Sequence, residues 1–179
     1  MNIDPRTALL DQLLAPFQAR MGADYAGYRN HCCRMAHFCF ALRDCSDEEK
    51  DKIITAAAFH DIGIWTDSTV DYLPPSIHQA RLYLTQNGLE HWVEEIVEMI
   101  DLHHKFRRVT QSSSPLTEVF RQGDLVDFSL GLVRFGLPRK TIKAMKAAFP
   151  NQGFHKRLMQ LAGGWFAKHP LSPPPFMKW

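Results

Sequence analysis

The segment AAAFHDIGIW, residues 56–65, ends an apolar run in an adjacent histidine and aspartate, His60 and Asp61. Burying two ionisable groups costs several kcal/mol unless a neighbour, a helix end or a metal ion offsets it. The chain carries nine histidines against four each of Trp, Tyr and Cys. Histidine is the commonest metal ligand and the usual acid–base residue near neutral pH. Other candidates fall on predicted apolar faces or at helix ends: His31, His78, the adjacent His103 and His104, Asp124 and Asp127. Such residues, carried by separate helices, can converge inside a bundle and hold metal. Imidazole and carboxylate together suit Fe, Mn, Zn, Ni or Co without selecting one strongly, so one or two divalent transition-metal ions are expected. A carboxylate can also bridge two ions.

The elements that must position these groups read as helices nearly throughout. Asp4-Pro5 resembles a cap followed by proline at the first helical position, and Leu9, Leu10, Leu13, Leu14 and Phe17 recur at helical spacing up to Gly22. A second helix is predicted over about 24–42, with Tyr28, His31, Met35, Phe38 and Leu42 on one stripe. Ser46 and Glu49 form a capping box that starts a helix ending near His60-Asp61. Residues 62–75 read as a loop, with Gly63 turning the chain away from the His-Asp pair. A helix from about Ser76 should stop at Asn87-Gly88. The next places Val93, Ile96, Val97 and Ile100 on one face and the double histidine at its end. Ser114-Pro115 opens a helix toward Asp124 and Asp127, Pro138 opens another, and 152–168 make the last. The proline-rich tail from 170 suits neither helix nor central strand. No stretch alternates as a strand does, and no repeat or linker divides the chain. The expected fold is an all-α single-domain helical bundle over 1–179.

The ordered set of His31 in YRNHCCRM, His60-Asp61 in FHDIG and Asp124 in RQGDLVD resembles the HD-domain superfamily. The resemblance covers about 24–130, leaving about 131–179 as a C-terminal helical extension. It implies a helical, metal-dependent phosphohydrolase in which His31, His60, Asp61 and Asp124 ligate. His78 and His103-His104 stand where two-metal members carry further histidines. The resemblance then implies a binuclear site in which Asp61 bridges the ions and His78, with His104 or His103, holds the second.

The surroundings suit an anionic substrate. Arg34 lies three residues after His31, on the same helical face, and Lys105 follows the double histidine. Either cation could neutralise phosphoryl charge, and Asp61, Arg34 and Lys105 are the expected catalytic groups. Arg107 and Arg108 read as a solvated helix end. Asp127, one turn from Asp124, reads as a support for a ligand or as a helix-end carboxylate. Trp65 and Tyr72 read as a lid or as core anchors, and 149–158 as an ordinary amphipathic helix. The expected reaction is hydrolysis of a phosphoester of a nucleotide or other small phosphorylated metabolite. The same ligand set also serves mixed-valence di-iron oxygenases and small-molecule hydratases of this superfamily. No GYP signature follows the double histidine, which disfavours the cyclic-dinucleotide phosphodiesterase branch.

Composition narrows the classes further. Hydrophobic residues make up 45% and charged residues 22%, as in globular chains. A net charge of +2 does not point to a nucleic-acid polymer or a membrane surface. Cys32, Cys33, Cys39 and Cys45 form no C-x-x-C pair and read as reduced packing residues, which suits a reducing compartment. The amino-terminal stretch lacks the pattern of a signal peptide. A cytoplasmic protein is expected.

Overall fold

A computed structural model of the chain describes residues 4–177. The first three residues of the amino-terminal stretch and the last two of the tail lie outside the described residues. Ten α-helices and three short 3-10 turns make up the fold, with no strand among the described residues.

Helix α3 (Tyr25–Leu42) is the axis of the bundle, and it is buried on nearly every side. It packs along α8 (Pro115–Phe128) and α4 (Asp47–Phe59), while α7 (Val93–Leu102) closes against α4 and α8. Helix α1 (Thr7–Leu14) lies on α4 and α3, and α6 (Leu73–Gln86) on α7. Short α2 (Gln18–Met21) and α5 (Gly63–Thr66) join these elements. Helices α9 (Arg139–Ala148) and α10 (Phe154–Lys168) return to α3 from the outside.

Small residues make the close packing of α3 and α8 possible. A Cβ at Gly123 would overlap Cys39 Sγ and the Met35 carbonyl of α3. The four cysteines are free and buried, and Cys32, Cys33 and Cys39 serve as small apolar groups on α3.

Helix starts follow local chemistry. Ser46 caps α4 through a reciprocal pair, its hydroxyl accepting from Glu49 N and the Glu49 carboxylate accepting from Ser46 N. Ser114 accepts from Leu116 N ahead of Pro115.

Three expectations change. Asp4-Pro5 does not begin α1: the Asp4 carboxylate accepts from Arg6 N in a turn, and the helix starts at Thr7. Residues 62–75 are not all loop, because α5 follows the His-Asp pair directly and α6 begins at Leu73. Pro74 and Pro75 sit in the first turn of α6, where a missing N–H costs nothing. Gly63 therefore does not serve as a turn. It lies within α5, where a Cβ would collide with the Tyr72 carbonyl and Pro75, so the close approach of two backbones selects it.

Candidate metal centre

Four helices deliver the site. The middle of α3 brings His31, the C-terminal end of α4 brings His60 and Asp61, the end of α7 brings His103 and His104, and α8 brings Asp124 and Asp127. His31, His60, Asp61, His103, Asp124 and Asp127 are buried, which makes their hydrogen bonding decisive.

Each of three histidines has one ring nitrogen committed to an oxygen. His60 Nδ1 lies 2.8 Å from the Ala57 carbonyl and His103 Nδ1 2.7 Å from the Ile100 carbonyl. His31 Nδ1 lies 2.7 Å from Asp127 Oδ2. A carbonyl or a carboxylate can only accept, so the proton belongs on Nδ1 in all three and a neutral ring presents an Nε2 lone pair. Those lone pairs converge. His31 Nε2 and His60 Nε2 are 3.0 Å apart, His60 Nε2 is 3.3 Å from Asp61 Oδ2, and His103 Nε2 is 3.4 Å from Asp61 Oδ1.

Lone pairs this close repel unless a cation lies between them. A proton on His60 meets that need. Burial acts to lower the His60 pKa, but Asp61 more than offsets it and raises it, whereas burial lowers that of His31. Burial likewise acts to raise the Asp61 carboxyl, yet His60 and His103 hold it well below its ordinary range. Even so, Asp61 Oδ1 and His103 Nε2 have no hydrogen-bond partner although both are buried. Orphaned atoms of this kind are costly, and a metal ion would satisfy both.

Two groups of donors fit an ion: His31, His60 and Asp61, and separately Asp61, His103 and His104. Asp61 belongs to both, so the centre has the donors for one or two divalent ions. Asp124 stands beside the first group, with Oδ1 3.5 Å from His31 Nε2, and burial raises its carboxyl pKa. His104 Nε2 is 3.9 Å from Asp61 Oδ1 and shares a 2.6 Å hydrogen bond with the Tyr72 hydroxyl. Burial and the nearby His103 push the His104 pKa well below its usual value, keeping the ring neutral.

Two of the expected site residues lie apart from these donor groups. His78 is exposed and belongs to neither group. The buried face of α6 is set by Leu73, Ser76, Ala80 and Leu84, and His78 lies two residues from Ser76, about 200° round the helix. Arg34 does not face a substrate. It is 2% exposed and grips Asp127 through both carboxylate oxygens, at 2.5 and 2.8 Å. The carboxylate passes this hold on to His31. Burial alone would raise the Asp127 pKa, but His31 and Arg34 bring it down to about 2. Asp127 is thus the buried partner of His31 rather than a free helix-end carboxylate.

Tyr28, taken from the sequence only as part of an apolar stripe, holds the His-Asp corner. Its hydroxyl donates to the Ala58 carbonyl at 3.1 Å and accepts from Asp61 N at 3.2 Å. Its position one turn before His31 is the signal that was there to find. Tyr72 is a core anchor as well as a partner of His104, and Trp65 Nε1 donates to Asp24 at 3.0 Å. Phe154, the first residue of α10, stacks on His31 with centroids 4.1 Å apart.

A cavity of about 290 Å³ reaches the site, where His103, His104 and Asp124 line it. Lys105 and Arg121 also line it. Arg121 is held by Glu118 at 2.7 and 2.8 Å, while Lys105 has no ionic partner among the described residues. Arg107 and Arg108 are exposed.

No curated protein and no solved structure matches the chain at a significant level. The HD domain family model matches residues 28–131, more than half of the chain and the whole span from Tyr28 to Asp127, and the protein belongs to the HD-domain family.

Proposed function

We propose that this protein is a metal-dependent phosphohydrolase that acts on a small phosphorylated substrate. The observation that supports this best is the convergence of three Nε2 lone pairs on Asp61, each fixed by a proton on the opposite ring nitrogen. His31, His60, Asp61 and Asp124 would hold one ion, and Asp61 with His103 and His104 a second. A divalent ion in such a site acidifies a water molecule and polarises a phosphoryl oxygen.

The chain's own groups do the rest. Asp127 and Arg34 hold His31 in one orientation, and Tyr28 holds the backbone that carries Asp61. Lys105, on the cavity wall and without an ionic partner among the described residues, would neutralise phosphoryl charge, the role expected from sequence of either Arg34 or Lys105. His104, neutral and hydrogen-bonded to Tyr72, is placed to exchange a proton with a leaving oxygen if it does not ligate. Free, buried cysteines fit a cytoplasmic location, and no helix among the described residues is long and apolar enough to cross a membrane.

Metal analysis of freshly purified protein, followed by phosphate release from nucleotides and simple phosphomonoesters, tests this reading. The expected result is one or two ions per chain and metal-dependent release. Iron with a mixed-valence EPR signal, and oxygen uptake without phosphate release, would move the protein to the oxygenases.

A further inference from the structure

The proposed reaction accounts for the polar end of the cavity but not for its walls. Among the described residues, every one that α10 and the tail contribute is apolar, including Leu158, Met159, Leu161 and Ala162 on the helix and Phe176 and Met177 beyond it. Phe128 of α8 continues the same surface. Around the opening, Met159 is 72% exposed, Phe128 52% and Phe166 45%. The polar side chains that line the cavity, Tyr72, His103, His104, Lys105, Arg121 and Asp124, belong to the metal end or its flank.

A nucleoside body suits these walls poorly. Ribose hydroxyls and base edges would lose water without gaining partners, and each unpaired polar group carries a penalty. A hydrocarbon body loses nothing by the transfer and gains from every buried methylene. Helix α10 and the tail also lie beyond residues 28–131, the span that the family model matches.

We propose that the substrate is amphipathic: an anionic head at the Lys105–His104 end, joined to a hydrocarbon body that seats against α10 and the tail. The phosphate identity of the head rests on the function proposed above. The hydrocarbon body rests on the cavity alone.

The test uses metal-loaded full-length protein and a series of n-alkyl phosphates from methyl to octyl, with AMP alongside. Phosphate release should show kcat/KM rising about threefold per added methylene until the cavity is filled, with AMP well below octyl phosphate. In parallel, calorimetry with n-alkylphosphonates of the same lengths reads binding without turnover. Met159→Glu, at an exposed position, and Ala162→Trp, which fills the cavity, should each flatten the chain-length dependence while retaining bound metal. If no ester releases phosphate but phosphonate affinity climbs with chain length and the variants abolish the climb, the hydrolase reading falls and the hydrocarbon site stands. If AMP or methyl phosphate is the best substrate and the alkyl series is flat in both assays, the hydrocarbon site is overturned and the hydrolase stands.

Discussion

The floor and the far wall of the same cavity are built by opposite means. At and behind the floor, His103, which lines the cavity, and His31 and His60 beneath it each have one ring nitrogen tied to an oxygen, and even the partner of His31 is clamped by a buried arginine. On the far wall, the described residues of α10 and the tail bring no polar side chain, and Met159 is largely exposed. A centre that orients charge must fix direction, which takes hydrogen bonds backed by other hydrogen bonds. A surface that takes a hydrocarbon needs only shape and dryness. On the proposed reading, the contrast separates chemistry from choice of substrate, with the family core carrying the first and the C-terminal helix the second.

Substitutions should divide along this line. The largest effect is expected for His60→Ala, which removes a donor from the first group. Bound metal should fall and turnover should drop to the detection limit, as read by metal analysis and phosphate release. Retention of full metal content and activity would dissolve the distinction between floor and wall.

Asp127→Asn should weaken metal binding or activity by about 10–100-fold, the usual consequence of losing the partner of a ligating histidine. A metal titration of both proteins checks it.

The same carboxylate predicts an acid limb in stability. Its folded pKa of about 2 lies below its ordinary value of 3.8, so the unfolded chain binds the proton more readily. The stabilisation is complete above about pH 4 and is lost as the pH falls toward 2, amounting to about 2 kcal/mol. Denaturant melts of wild type and Asp127→Asn across that window should show the limb only in the wild type.

On the wall, Met159→Ala should raise KM for an alkyl ester severalfold and leave the metal content unchanged, which steady-state kinetics and metal analysis read together. A loss of metal would show that the wall supports the centre after all. The smallest effect is expected for His78→Ala. It should leave metal stoichiometry intact and shift stability by no more than about 0.5 kcal/mol, since the residue is an exposed site on α6.

Local signals were the legible ones. Ser46 with Glu49, and Ser114 with Pro115, announce two helix starts because capping involves residues two or three apart. His31 follows Tyr28 by one turn, so its place on the buried stripe of α3 could be read directly. Arg34 was also correctly placed on the face of His31. Its role was not legible, because Asp127, its partner, lies 93 residues away. His78 lies apart from the donor groups for a different reason: the spacing of Ser76, Ala80 and Leu84 turns it outward. The function of Gly63 was hidden too, since the Tyr72 carbonyl that excludes a Cβ arrives from the next helix.

By itself the sequence determined most of the helices, the caps at Ser46 and Ser114, and the presence of a histidine–aspartate set on buried faces. Periodicity and capping act within one or two turns, and nothing distant is needed to express them. Only the tertiary structure decided which ring nitrogens meet, that Asp61 is shared by two donor groups, that Arg34 serves His31 through Asp127, and that the cavity over the metal donors is walled by hydrocarbon. Those outcomes depend on which helix faces pack together. That is settled by the fit of whole surfaces, such as Gly123 against Cys39 and Phe154 against His31, and not by the spacing of residues along any one helix.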